Sequence, residues 1–143
     1  MYNDEKGISE MKIIVTVDNR NGILFGNRRQ SRDSILVQDV LDLSQGKLKI
    51  APFSSMLFPK LTPDPDFLDH AQKDDWCFVE DRPLQRWKEQ IDQMAVYCWN
   101  RDYPATVYLD LDPGKEGWTL LEEKEFSGTS HPRITRRLYQ RNK

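Results

Sequence analysis

Cysteine and histidine are scarce in this sequence: Cys77, Cys98, His70 and His131 are all there are in 143 residues. Two of each, without metal-ligand spacing, indicate neither a zinc site nor a disulfide framework. Both cysteines stand in apolar, strand-like runs, where a small buried thiol in a reducing compartment is the simplest account. No apolar run approaches the roughly 20 residues that a membrane-spanning helix needs. The opening MYNDEKGISE lacks the apolar segment of a secretory signal. An excess of one charge is missing too: 21 Lys and Arg stand against 23 Asp and Glu, a formal net charge of −2. That balance gives no global pull toward nucleic acid. The absences together favour a soluble cytoplasmic protein with no membrane contact, no metal and no redox thiol pair.

What is present fits one core. Residues 1–10 read as a polar extension or an upstream start, because Met11 opens a strong strand, and residues 11–143 as a single domain. MKIIVTVD (Met11–Asp18) is a β-branched run short enough for a buried strand, and Asn19–Gly22 supplies turn chemistry. Ile35, Leu36, Val40 and Leu43 then recur at helical spacing, with Ser31 placed to cap the start and Gly46 the end. Lys47–Ala51 predicts a second strand, Phe53–Phe58 a short helix opened by Pro52, and PKLTPDPD a loop. Phe67–Ala71 predicts one helical turn, WCFV (Trp76–Val79) a third strand, Leu84–Ile91 a helix and MAVYCW (Met94–Trp99) a fourth strand. Thr106–Asp110 and Trp118–Glu122 predict two more strands joined at Pro113-Gly114.

Strands alternating with helices early in the chain predict βαβ crossovers, hence an α/β fold with a mainly parallel sheet and helices on both faces. The late strands predict an antiparallel C-terminal edge. Ile14, Val17, Leu36, Val40, Ile50, Phe78, Val96 and Trp118 are the expected core. The tail SHPRITRRLYQR is open between two periods. As a strand it has a poor apolar face on either side. As a helix it places Ser130 as cap, Pro132 in the first turn, and Ile134 and Leu138 four apart. Helix is the expectation.

Four segments, in order, resemble dihydrofolate reductase. IIVTVDNRNGILFGN (Ile13–Asn27) is similar to that family's first strand and following loop. KIAPFSSMLF (Lys49–Phe58) stands where the family has a Gly-Arg-x-Thr helix start, and CFVED (Cys77–Asp81) where a strand ends in Gly-Gly. YPATVYLDLDPGKEGWTLLEEKEF (Tyr103–Phe126) resembles the closing stretch. The chain is also similar to a group of short bacterial proteins. The resemblance implies a dihydrofolate reductase-like fold, and its departures imply lost chemistry. A pyrophosphate needs bare N–H groups and glycines that allow close approach. Ala51-Pro52-Phe53 and Glu80-Asp81 replace them here. Leu-Pro-Trp becomes Arg28-Arg29-Gln30, and the substrate-protonating carboxylate falls near Ile35 and Leu36, with Asp33 one helical turn too early. NADPH binding is therefore not expected, nor is any other cofactor.

Other residues remain as candidates. Arg28, Arg29, Gln30, Ser31 and Asp33 form a dense polar cluster before a helix start, where arginines can grip a phosphate or carboxylate bidentately. Asn100, Arg101 and Tyr103 follow the fourth strand and are expected to line the same cleft. His131, beside Ser130, is the one acid–base candidate. Residues 64–81 hold seven acids against Lys73, and residues 133–143 five cations with no acid, an asymmetry able to steer a charged partner. Two readings follow. In the first, a reductase-like scaffold has become a non-reductase binding or interaction protein for a protein or anionic partner. In the second, a small enzyme or nucleotide-binding protein acts on a phosphorylated or nucleic-acid ligand through the arginines, with His131 as acid–base. Convergence of Arg28, Arg29, Arg101 and His131 on one pocket favours the second, and their scatter favours the first.

Overall fold

The computed structural model describes residues 10–142, so nearly all of the expected N-terminal extension lies outside the described residues. Six strands form the main sheet: β1 (Met11–Val17), β4 (Leu48–Ile50), β5 (Trp76–Phe78), β6 (Ile91–Cys98), β8 (Trp118–Phe126) and β9 (Ile134–Arg141), in the order β4-β5-β1-β6-β9-β8. The first four are parallel neighbours. β9 runs antiparallel to β6, and β8 antiparallel to β9. A second, three-stranded sheet joins β2 (Gly22–Phe25) to β3 (Arg28–Arg29) and β7 (Val107–Tyr108). This is the mainly parallel α/β sheet with an antiparallel C-terminal edge that the pattern predicts.

The pleat divides the core. Ile13, Val15 and Val17 of β1 pack on one face with Met94, Val96, Phe67, Leu68 and Leu84. Ile14 packs on the other with Tyr97, Phe78, Leu36 and Val40. Leu36 and Val40 belong to α1 (Ser34–Ser44), the one α-helix among the described residues. The opposite face is covered by turns and a 3-10 helix, Gln85–Gln90, where helix was expected over Leu84–Ile91. Ile91 instead opens β6, three residues earlier than expected. Pro52 opens only a 3-10 turn, Pro52–Ser54, and the stretch Phe67–Ala71 is likewise turns. Seven of the eight expected core residues are buried; Trp118 is half-buried against that core.

Two expectations fail at the C-terminal edge. Val107–Tyr108 pairs with β2 rather than with β8, so Pro113-Gly114 links two sheets instead of closing a hairpin. The tail is strand, not helix. Its poor apolar face is repaired by charge from distant segments. Arg136, on the helix-covered face, donates from Nη1 to Asp39 Oδ2 of α1 at 2.7 Å and pairs through Nη2 with Glu122 of β8. Tyr97 and Lys124 donate to the same Asp39 carboxylate at 2.6 and 2.9 Å. On the other face Arg137 pairs with Glu123 at 2.7 Å, and Arg133 lies 3.7 Å from Glu125. The arginines of residues 133–137 thus meet the acids of β8, which neutralises much of the basic tail and makes the strand tolerable where burial of lone charges would be costly.

Candidate functional site

In an open α/β sheet, ligands collect beyond the carboxyl ends of parallel strands, where neighbouring connections leave on opposite faces. Here the chain leaving β1 returns through α1 on one face, while the segment after β5, with Leu84 and Trp87, packs on the other. Crevices are therefore possible on both sides of β1, toward β5 and toward β6.

The crevice toward β5 is filled from within. Arg29 of β3 donates from Nε to Glu80 Oε2 at 2.5 Å and from Nη2 to Glu80 Oε1 at 2.8 Å. The same Nη2 donates to the Phe53 carbonyl at 3.0 Å, and the guanidinium lies 5.1 Å from the Phe53 ring centroid. Ser54 Oγ donates to Glu80 Oε1 at 2.7 Å. The side chain of Glu80 is 3% exposed and that of Arg29 18%. A bidentate pair so enclosed is strong and directional, and it occupies the serine hydroxyl and the Nε and Nη2 donors of the arginine, leaving only Nη1 without a partner among the described residues. The backbone agrees: Ser54 and Ser55 N–H donate to Ala51 and Pro52 carbonyls at 3.0 and 3.1 Å.

The second cluster gathers at the start of α1. Asp33, not Ser31, is the N-cap: extended at φ −155°, it accepts through Oδ1 from the N–H groups of Ile35 and Leu36. Its carboxylate also accepts from Thr129 N–H at 3.1 Å, from Ser130 N–H at 2.8 Å and from Ser130 Oγ at 3.1 Å. His131 Nδ1 lies 3.4 Å from Oδ2, and both side chains are enclosed. Gly128 is required here, because a Cβ would collide with the Asp33 carboxylate. Burial pushes the Asp33 carboxyl up, but the backbone donors of Ser130, Thr129 and Leu36 outweigh it and hold the group well below the usual carboxylate range. On the far side of the imidazole, Nε2 lies 2.8 Å from Tyr103 OH and 3.2 Å from Ser31 Oγ, and the ring stacks on Trp99 at 4.4 Å.

The expected site residues thus divide. Ser31, Asp33, Tyr103 and His131 meet in one network, in which Asp33 and His131 are buried and Ser31 and Tyr103 half-buried. Gln30 spans from Asp18 Oδ2 to the Pro104 carbonyl, at 3.4 and 3.2 Å. Asn100, at φ 60°, donates to the Arg133 carbonyl and to Thr135 Oγ1. Arg28 and Arg101 are exposed, and Arg29 is engaged by Glu80. Among the described residues no hydrogen bond or ion pair joins Arg28, Arg29 or Arg101 to His131, which is itself enclosed. Glu80 and Ser54 were missing from the expected site; the signal for them was the buried strand end at Val79, beyond which an acid needs a cation. Burial pushes the Cys77 thiol up to about 12 and, despite Arg137, raises Cys98 as well, which disfavours the thiolate form of both. Among the described residues no group of His, Cys, Asp and Glu gathers to hold a metal, and no helix is long and apolar enough to cross a membrane.

Two measurements follow. Glu80→Ala leaves Arg29 buried without its partner and should cost about 3–5 kcal/mol, whereas Glu80→Ala combined with Arg29→Met should regain most of it; urea denaturation of the four-variant cycle measures this. Asp33, depressed in the folded state, stabilises fully above the unfolded carboxylate value near 4, and that contribution is lost as pH falls below it. Asp33→Asn should therefore lower stability at pH 7 by about 1–3 kcal/mol and flatten the acid limb of a stability–pH curve; an unchanged limb would remove this role.

No family model matches this sequence, and no curated protein matches it either. Among solved structures, the dihydrofolate reductase from Enterococcus faecalis, complexed with NADP(H) and RAB-propyl, is similar over 94% of this chain and 97% of its own, with a TM-score of 0.64 at 9% sequence identity. This coverage agrees with the resemblance carried by the four sequence segments. The chain has the fold of dihydrofolate reductase.

Proposed function

We propose that this chain is a cytoplasmic binding protein on a dihydrofolate reductase-like scaffold, without the NADPH-dependent reaction. The observation that carries this reading is the Glu80–Arg29–Ser54 pairing at the carboxyl ends of β4 and β5. The Enterococcus reductase is described with NADP(H) bound. A dinucleotide entering this chain in that manner would bring its pyrophosphate against an enclosed carboxylate whose arginine is already bonded. Displacing Glu80 would strand a buried charge, at a cost of several kcal/mol. The substrate side argues the same way. Asp33 is the acid nearest to the family's proton donor position, and its two oxygens are occupied by the chain's own donors.

The second reading, an enzyme or nucleotide-binding protein acting on a phosphorylated or nucleic-acid ligand through gathered arginines, lacks that gathering: Arg28 and Arg101 lie exposed and Arg29 is paired. Isothermal calorimetry with NADPH, followed by a folate-dependent NADPH oxidation assay, tests the proposal. No heat of binding and no oxidation are expected. Micromolar NADPH binding or measurable turnover would restore a reductase.

A further inference from the structure

With the crevice toward β5 filled, the one toward β6 remains open. It is a cleft of about 410 Å³ reached by Val17, Asp18 and Asn19 at the end of β1 and by Val96, Cys98 and Asn100 at the end of β6. Leu109 and Pro113 from the segment before β8 and Arg137 and Tyr139 from β9 complete much of its lining. Its volume lies within the range of about 300–1,000 Å³ usual for small-molecule sites.

The chemistry of the lining selects among ligands. Asp18 and Asp112 contribute negative charge, and the lining's arginine, Arg137, is bonded to Glu123 at 2.7 Å and directs Nη1 toward Cys98 Sγ at 3.6 Å. A phosphate or carboxylate would therefore meet net repulsion. Neutral hydrogen-bonding capacity is left over. The Asn21 carboxamide and the Tyr139 hydroxyl have no hydrogen-bond partner among the described residues. Asn100 uses its Nδ2 on Arg133 and Thr135, which leaves Oδ1 as an acceptor. The Asn21 carboxamide presents a donor and an acceptor side by side, and Asn100 Oδ1 adds an acceptor, the complement of the edge of a nitrogen heterocycle. Val17, Val96, Leu109 and Pro113 supply apolar contact for its faces.

We propose that this cleft binds a small uncharged nitrogen heterocycle of the nucleobase or nucleoside class, with Asn21 and Asn100 on its polar edge and the Tyr139 hydroxyl as a third contact. The inference rests on the binding reading and gives it a site and a ligand class. It places the ligand on the opposite side of β1 from the crevice that Arg29 and Glu80 fill.

Thermal unfolding of the full chain with adenosine, guanosine, cytidine and uridine, their 5′-monophosphates, and glucose tests it. At least one nucleoside should raise the Tm, and its monophosphate should raise it less, because Asp18 and Asp112 repel the phosphate. Asn21→Gly, which suits the backbone at φ 64°, and Tyr139→Phe should each weaken that nucleoside's affinity by about tenfold, as for loss of one hydrogen bond. The unliganded Tm should stay as in the native chain. A response to glucose alone, a monophosphate response as large as the nucleoside's, unweakened binding by both variants, or no response at all would each overturn the site. NADPH binding bears on the other crevice, so silence with nucleosides and with NADPH together overturns this inference and leaves the binding reading standing.

Discussion

A carboxylate largely withdrawn from water must find its hydrogen-bond donors inside the protein, as the buried Glu80, Asp33 and Asp18 and the half-buried Asp39 do here. Glu80, Asp33 and Asp39 each draw donors from segments far apart in sequence. Glu80 fastens β3 and the 3-10 turn after β4 to the end of β5. Asp33 ties the start of α1 to the turn between β8 and β9. Asp39 holds α1 down on β6, β8 and β9 through Tyr97, Lys124 and Arg136. Removing one partner of such a pair leaves a desolvated charge, so each acid fixes its surroundings more firmly than an exposed ion pair does.

The same constraint bears on function. A catalytic or phosphate-binding group must keep a free donor, acceptor or charge for its ligand. In the crevice between β1 and β5 the arginine and the serine hydroxyl are bonded to Glu80, and at the start of α1 the carboxylate is bonded to backbone. The fold is that of dihydrofolate reductase, and the polar groups at these two places are bonded within the chain. Hydrogen-bonding groups without partners instead line the cleft beside β6: Asn21 from the turn after β1, Asn100 from beyond β6 and Tyr139 from β9.

Much of the sheet was legible in the sequence because its parallel strands are short, mostly apolar runs. Met11–Val17, Leu48–Ile50, Trp76–Phe78 and the apolar part of Ile91–Cys98 announce themselves without reference to anything else. What was illegible depends on pairs. The tail looked too charged for a strand because Arg136 and Arg137 find Asp39, Glu122 and Glu123 only after folding. β2 and β3 read as turn and polar cluster because four- and two-residue strands carry little periodicity. Glu80 read as a charge facing a ligand, and Arg29 as a free grip, because 51 residues separate the two partners. The network of Ser31, Asp33, Tyr103 and His131 was half legible. Each member stands out singly by residue type, and the contacts that join them form only on folding.

The central claim is that Arg29 belongs to Glu80 and not to a ligand. Proton–nitrogen NMR of the arginine side chains tests it at the atom concerned. The account predicts a resolved Arg29 Nε–H signal, slow to exchange with water and unmoved by NADPH or dihydrofolate, and its displacement in Glu80→Gln. An Arg29 signal that exchanges rapidly, or that shifts when NADPH is added, would contradict it.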